Sequence, residues 1–451
     1  MRFADLDGRR VAVWGHGREG RAALAALRAR LPGQELTLFC RQDEAEGLNA
    51  NGALTVLHAA PDVAALAGFD IVVKSPGISA YRPELLAAQA QGTVFTSGTA
   101  LWFGERSDAR VIGVTGTKGK STTCAMLAHL ARHLGVRTAL AGNIGLPLLE
   151  LLDAEAELWV VELSSFQTGE TGPLELGLIT SLYEDHLDWH GSRERYVADK
   201  LKLADAARTL LVNATQPDLM ARTKTHPRRI GFGTCEGWHV AGNAIHRGDE
   251  RVFDCADLTL PGAHNALNAC AGLAAMQQVG LDAIAALPAL AAFQPLPHRL
   301  QTLGQQGGRT WINDSISTTP QAALAALRSV QDQPVALLLG GHDRGLDWTA
   351  FATAIAARPP HVVVVQGGNR VRILEALRAS PPGCPVLEAV DLEAAMACAG
   401  EALPQAGVVL LSPGAPSFDQ FHDYTERGRR FAELAGFDPA RIASIEGLGV
   451  A

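Results

Sequence analysis

Val111-Ile112-Gly113-Val114-Thr115-Gly116-Thr117-Lys118-Gly119-Lys120-Ser121-Thr122-Thr123 is the stretch around which this chain is built. The short apolar run predicts a strand, a glycine-rich turn follows, and Thr122 to His133 predicts a helix. That order makes a phosphate cradle: glycines let backbone N–H groups close on an anion, and a helix N-terminus adds positive potential. Lys120 is placed to reach β- and γ-phosphates, while the hydroxyls of Ser121 and Thr122 are candidates for Mg²⁺ and phosphate. The general pattern G-x-x-x-x-G-K-[ST] puts its first glycine where this chain has Val114, so the loop departs from that form. A turn that binds nothing is the bland alternative. Gly-Lys-Ser-Thr between strand and helix favours a nucleoside triphosphate.

A chain of 451 residues suggests about three domains. Apolar residues make up 47% and charged ones 19%, which suits large α/β cores rather than disorder. The net charge of −8 argues against a general affinity for nucleic acid or anionic membrane, so an anionic substrate needs a local basic pocket. Met1 to Arg10 shows no signal-peptide pattern, and no apolar run approaches membrane-spanning length. The seven cysteines are scattered without a C-x-x-C, which predicts reduced thiols in a cytoplasmic protein.

Working outward from the phosphate loop, Arg10 to Trp14 predicts a strand leading into Gly15-His16-Gly17-Arg18-Glu19-Gly20 and a helix through about Arg30. This is G-x-G-x-x-G in the context of a dinucleotide-type phosphate turn. The next strand, Glu35 to Cys40, ends in Phe39-Cys40-Arg41 rather than in the acidic residue that would hold a ribose in the NAD manner. A basic residue there suits an anion better. Asp70 to Lys74 is another strand, and its turn, Ser75-Pro76-Gly77-Ile78, could face the same crevice. Residues 1–95 form the first expected domain.

Beyond the loop, Ala141-Gly142-Asn143-Ile144-Gly145 precedes the strand Leu158 to Glu162, which runs into Leu163-Ser164-Ser165-Phe166-Gln167. A carboxylate at a strand's C-terminal end near a phosphate loop is placed for Mg²⁺; a capped or salt-bridged Glu162 is the alternative. His186 and His190 stand at i,i+4, but no H-E-x-x-H accompanies them, and His186 fits a hard-metal and substrate site better than zinc. Tyr196 to Lys202 predicts a helix on which Lys200 and Lys202 are, by periodicity alone, solvated charge. Arg229 to Leu260 suggests a small β excursion. Asn265 and Asn268 share a helical face that could reach a base or phosphate, with N-terminal capping the alternative for Asn265.

Pro295 to Arg299 predicts a linker, dividing a central domain, 96–298, from a third, 299–451. There, predicted strands end in Asn313-Asp314-Ser315-Ile316-Ser317-Thr318-Thr319, Gly340-Gly341-His342-Asp343-Arg344-Gly345, Gln366-Gly367-Gly368 and Ser412-Pro413-Gly414-Ala415-Pro416-Ser417. Four small-residue loops along one edge of a parallel sheet favour a ligand site over scaffold.

Thr115 to Thr122, Glu162 to Gln167, Glu184-Asp185-His186-Leu187-Asp188, His264-Asn265, Pro297-His298-Arg299, Asn313-Asp314-Ser315 and Ser412-Pro413 together resemble the Mur ligases, in particular their glutamate-adding branch. The resemblance covers nearly the whole chain. It implies three α/β domains: a Rossmann-like N-terminal domain for a UDP substrate, a central P-loop ATPase, and a Rossmann-like C-terminal domain that closes on ATP and the incoming amino acid. The implied reaction joins glutamate to UDP-N-acetylmuramoyl-L-alanine in peptidoglycan synthesis, using ATP and Mg²⁺ through an acyl phosphate. The chain would act as a monomer, without nucleic acid or membrane.

Residue by residue, the resemblance implies that Gly116, Thr117, Lys118, Gly119, Lys120, Ser121 and Thr122 wrap the ATP phosphates, with Asn268, Arg299 and Asp314 on the nucleotide. Ser121, Glu162, His186 and Lys200, the last as a carbamate, would serve the metal, and Lys120, Lys200, His186 and Glu162 the catalysis. Gly17, Arg18, Arg41, Ser75, Gly77, Asn143 and Gln167 would meet the UDP substrate. Thr318, Arg344, Ser417, Phe418 and Tyr424 would meet glutamate.

Relatives that add D-glutamate commonly show Asn-Asp-Ser-Lys-Ala-Thr-Asn; here Ile316-Ser317-Thr318-Thr319 follows Ser315, and the lysine is gone. Arg344 offers a bidentate fork for a carboxylate. These changes favour the variant branch that adds L-glutamate, which pairs functionally with an epimerase; D-glutamate addition is the alternative. A nicotinamide dehydrogenase would leave Gly116 to Thr122 unemployed. A non-catalytic nucleotide switch would leave Glu162, His186 and the third domain's loops without a purpose.

Overall fold

A computed structural model describes residues 1–45, 48, 53–183, 187–260, 262–294, 296–404, 406–442 and 447–451. The chain divides into two compact units: 1–259 with 263–293 and 447–451, and 260–262 with 294–446.

The first unit contains three sheets. Its N-terminal sheet is built from β1 (Val11–Trp14), β2 (Leu36–Phe39), β3 (Leu54–Leu57), β4 (Ile71–Lys74) and β5 (Val94–Thr96), in the order β3-β2-β1-β4-β5 and all parallel. The order reverses at β1, so the C-terminal ends of β1 and β4 flank a crevice of the kind that receives nucleotides. Gly15 closes the β1 turn at φ 93°, where a Cβ would stand 2.8 Å from Ser75 Oγ. Only glycine allows the two strand ends to approach this closely.

The central sheet is built on β6 (Val111–Thr115), β7 (Thr138–Gly142), β8 (Leu158–Glu162), β9 (Leu174–Ile179), β10 (Ala207–Asn213) and β11 (Arg229–Phe232). These run β11-β10-β9-β6-β8-β7, parallel throughout. The strands β6, β7 and β8 are buried along their whole lengths, as continuous apolar runs covered on both faces require. A core runs from the N-terminal sheet into the central one, with the rings of Trp102 and Trp159 4.7 Å apart. The expected small β excursion is a three-stranded antiparallel meander, β12 (Trp238–Ala241), β13 (Ala244–Arg247) and β14 (Glu250–Asp254).

The second unit holds one six-stranded sheet of β15 (Gln301–Gln306), β16 (Arg309–Asn313), β17 (Val335–Leu339), β18 (Val362–Val365), β19 (Val386–Glu388) and β20 (Gly407–Leu411). Its order is β15-β16-β20-β17-β18-β19, antiparallel only at β15. Alternate residues of the central strands feed two cores, one on each face: Leu337, Val363 and Leu410 on one, Leu338, Val364 and Val409 on the other. The last strand, β21 (Gly449–Val450), pairs antiparallel with β7 and so belongs to the first unit. This is α/β architecture built on parallel sheets, as the sequence predicts. No helix among the described residues is long and apolar enough to cross a membrane.

Candidate active site

The phosphate loop forms where β6 ends. Gly116 lies at φ 150° and Gly119 at φ 86°, and the helix Lys120–His133 begins directly after Gly119, two residues earlier than periodicity predicts. A Cβ on Gly116 would overlap Thr180 Oγ1, and one on Gly119 would stand 2.6 Å from Asn268 Oδ1. Side chains following β9 hold the loop's backbone: Ser181 Oγ accepts Lys118 N at 2.8 Å, and Thr180 Oγ1 donates to Lys118 O at 2.6 Å. Lys120 Nζ donates to Thr117 O at 3.2 Å; Ser121 is buried, Thr122 half-buried and the Lys118 side chain exposed. Asn268 is thus packed against the loop, its Oδ1 accepting Thr123 Oγ1 at 3.4 Å.

Glu162 ends β8, the strand beside β6, and is 1% exposed. Asn143 Nδ2 donates to its Oε1 at 2.9 Å, and Asn143 N donates to its backbone oxygen at 2.9 Å. Oε2 is buried and, among the described residues, has no hydrogen-bond partner. A carboxylate oxygen so placed is costly unless something positive meets it, and a hard cation such as Mg²⁺ fits that need. Lys200, on the helix Arg193–Ala206, is not the solvated charge of its periodicity. It is 2% exposed, its Nζ donates to Gly116 O at 3.1 Å, and it lies 4.9 Å from the Tyr196 ring centroid. Among the described residues no three His, Cys, Asp or Glu side chains gather as a metal cluster. His186, expected at the metal, lies outside the described residues.

Gly17, Arg18, Ser75 and Gly77 follow β1 and β4 at the crevice of the N-terminal sheet, and Arg41 follows the adjacent β2. Arg18 Nη1 donates to Gly145 O at 3.0 Å, tying the first turn of its helix to the loop that carries Asn143. Arg41 is exposed and pairs with Glu44 at 3.6 Å. Gln167 lies in the turn after Glu162. It is 1% exposed, its Oε1 accepts Ser164 N and Oγ, and its Nε2 donates to Thr99 Oγ1 at 3.0 Å. These bonds shape the turn after Glu162.

In the second unit, Asp314 follows β16 and is nearly buried; its carboxylate accepts Leu300 N at 3.1 Å and Ser412 Oγ at 2.7 Å. Arg299 is half-buried just before β15, between His298 and Leu300, both at positive φ. Thr318, Arg344, Ser417 and Phe418 stand on the loops after β16, β17 and β20, three adjacent strands, and Tyr424 opens the helix Tyr424–Leu434. The β17 and β20 loops are joined by His342 N donating to Pro416 O at 2.8 Å and by the His342 and Phe418 rings at 6.2 Å. Arg344 and Phe418 are exposed; Ser417 Oγ is buried without a partner among the described residues.

Sequence reasoning missed Arg427, one turn into that helix. Its guanidinium is 1% exposed and donates to Ser315 Oγ and O, Ala415 O and Pro416 O at 2.8–3.2 Å. Burial lowers its pKa to about 10, which leaves it charged at neutral pH. It clamps the β16 loop to the β20 loop. By spacing alone it is one of several surface-type charges in Glu426-Arg427-Gly428-Arg429-Arg430.

With this geometry in place, comparison with known proteins gives a consistent result. The Mur ligase middle domain profile matches residues 114–276, and the Mur ligase glutamate ligase domain profile matches 298–414. A UDP-N-acetylmuramoyl-L-alanine–L-glutamate ligase of Xanthomonas euvesicatoria pv. vesicatoria is 52% identical over 467 aligned positions, covering 100% of both chains. One of the same name from Micromonospora sp. is 38% identical, covering 96% of this chain and 98% of its own. Among solved structures, the UDP-N-acetylmuramate-alanine ligase of Thermotoga maritima superposes with a TM-score of 0.61 at 21% identity, covering 94% of this chain and 98% of its own. The MurF ligase of the same organism, in complex with ADP, gives 0.60 at 16% identity and 96% of each. The chain belongs to the Mur ligase family.

Proposed function

We propose that this protein is the ATP-dependent ligase that joins L-glutamate to UDP-N-acetylmuramoyl-L-alanine, in the cytoplasm, as a step of peptidoglycan synthesis. The observation that carries the ligase chemistry is Glu162: a buried carboxylate with one oxygen unpartnered among the described residues, on the strand beside the phosphate loop. The full-length likeness to L-glutamate ligases supports the choice of amino acid.

A carboxylate is a poor electrophile and its oxygen a poor leaving group, so amide formation needs activation. The alanyl carboxylate oxygen bonds to the γ-phosphorus of ATP as the bond to ADP breaks, giving an acyl phosphate. The glutamate amine then attacks the acyl carbon, loses a proton, and phosphate leaves with its C–O bond. Lys120 and the N-terminus of its helix offset charge on the phosphates, and the loop from Gly116 to Thr122, its Thr117 and Lys118 N–H groups held by Ser181, turns its remaining backbone toward them. Ser121, Glu162, His186 and Lys200 as a carbamate would hold Mg²⁺, which when bound neutralises charge on the transferring phosphoryl group. Asn268, Arg299 and Asp314 serve the nucleotide.

The β1–β4 crevice, with Gly17, Arg18, Ser75, Gly77 and the exposed Arg41, receives the UDP end, and Asn143 meets the muramoyl-alanine end. Arg344 and Thr318 take the glutamate carboxylates, with Ser417, Phe418 and Tyr424 shaping the site. The L-configured product would then need an epimerase. The test is ATP turnover measured with each substrate withheld in turn: phosphate release requires both the UDP-sugar and glutamate. Turnover that persists without the UDP-sugar contradicts the assignment.

A further inference from the structure

Asp199 stands immediately before Lys200 and is 5% exposed. Its carboxylate accepts Tyr81 Oη at 2.8 and 2.9 Å, His190 Nδ1 at 2.7 Å and Lys202 Nζ at 2.7 Å. Its backbone oxygen accepts Thr168 Oγ1 at 2.6 Å. His190 is fully buried, and its Nε2 lies 3.0 Å from Ser165 Oγ. A carboxylate on Nδ1 fixes the imidazole proton there, so Nε2 accepts the Ser165 hydroxyl. Burial and the bond to Asp199 raise the Tyr81 phenol to about 12, so it remains a donor. The result is one continuous run of hydrogen bonds: Tyr81, Asp199, His190, Ser165.

The two ends of that run lie in functionally different places. Tyr81 belongs to the segment after β4 that also carries Ser75 and Gly77. The same segment is docked a second time, by Trp189 Nε1 donating to Pro76 O at 3.1 Å and Ser79 Oγ donating to Trp189 O at 2.7 Å. Ser165 lies three residues beyond Glu162, and the next ring, Phe166, stacks on Trp189 with centroids 4.4 Å apart. Between the ends, Asp199 is held by side chain and carbonyl together. That fixes the turn of helix from which Lys200 reaches Gly116 O.

We propose that Asp199 is a positioning residue that couples the crevice of the N-terminal sheet to the phosphate loop, through the Tyr81–Asp199–His190–Ser165 run. The inference rests on the ligase assignment above. Seating of a UDP-sugar against Ser75 and Gly77 is transmitted through Tyr81 to the helix turn bearing Lys200 and through His190 to the turn after Glu162. The acceptor substrate thereby aligns the groups that act on the phosphates. A simple adhesive contact between two sheets needs no fixed tautomer and no hydroxyl at each end.

The test is a double-mutant cycle in the full chain. Tyr81→Phe keeps the ring that Arg195 covers at 5.0 Å and Trp189 meets at 5.8 Å, and removes only the hydroxyl. Tyr81→Phe and Ser165→Ala are each expected to lower kcat about tenfold with the ATP KM within about twofold, and the pair to cost about tenfold rather than about a hundredfold. Multiplying losses, or losses that track the unfolded fraction in thermal melts, overturn the proposal. If Ser165→Ala fails to fold, His190→Gln paired with Tyr81→Phe reads the same coupling. Product from the wild-type chain with additive variants sinks the relay alone; no product from the wild-type chain sinks the ligase assignment and the relay with it.

Discussion

Asn143 Nδ2 donates to one oxygen of Glu162 at 2.9 Å and leaves the other buried without a partner among the described residues. The pair differs in burial: Asn143 is exposed, while Glu162 is sealed from solvent. A structural carboxylate would have both oxygens satisfied. Glu162→Gln is therefore expected to lower kcat by about a hundredfold or more while leaving the thermal midpoint equal or higher, because it removes a buried charge. Loss of stability with retained turnover would contradict a metal-binding role.

Lys200 is buried and directed at the phosphate loop. Lys200→Ala is expected to be nearly inactive, and added acetate or formate to restore part of the rate if a carbamate is the working form. Full activity in that variant, measured as phosphate release, would remove Lys200 from the site.

Glu19, in the first turn after the β1 glycines, sits near Glu170 and Glu150. Burial first, then these two carboxylates, raise its pKa from 4.5 to about 7, opposed by Arg18. Its folded-state pKa is raised, so its contribution to stability is present below pH 4.5 and is lost as pH rises through about 7. Glu19→Gln should add roughly 1–3 kcal/mol near pH 8 and nothing near pH 4, read from denaturant melts at both pH values. Equal stability at the higher pH would show that the three carboxylates are better separated than they stand here.

His298 behaves in the opposite sense. Burial lowers its pKa from 6.5 to about 4, with Arg429 adding to the shift and Asn313 and Asp423 opposing it. Its ring rests where a Cβ on Gly428 would overlap it, and its backbone holds φ 61°. The folded-state pKa is depressed, so stability falls as pH drops from 6.5 through about 4. Gly428→Ala should destabilise by about 1–3 kcal/mol through that overlap, seen as a lower denaturant midpoint. An unchanged midpoint would mean the linker yields without cost.

What could be read along the chain was what is local. The phosphate loop, the β1 turn and the four strand-end loops of the second unit are each a strand followed by small residues, a pattern carried within about ten positions. The Lys120–His133 helix starts two residues before its periodicity indicates because Gly119, at positive φ, caps it without any side-chain signal. Lys200 and Arg427 look like surface charges because burial depends on strands and loops far away in sequence. The Ser165–His190–Asp199–Tyr81 run is equally invisible, since four separate segments meet there and no spacing marks them. Gln167, quoted within a recognisable motif, also bonds to Thr99, a partner far away in sequence that the motif does not show. The short strands β19 and β21 carry too few residues to show a period.

The central claim is that this ligase adds L-glutamate, and side-by-side turnover with the two enantiomers tests it most directly. Either enantiomer must aim its amine at the same acyl phosphate, so inversion at Cα redirects both carboxylates. Anchors suited to one leave a carboxylate of the other misplaced, at a cost of about 2–4 kcal/mol, or roughly 30- to 1,000-fold in rate. With saturating ATP and UDP-N-acetylmuramoyl-L-alanine, product formation is expected with L-glutamate and to be at least about thirtyfold slower with D-glutamate. A clear preference for D-glutamate would contradict the account.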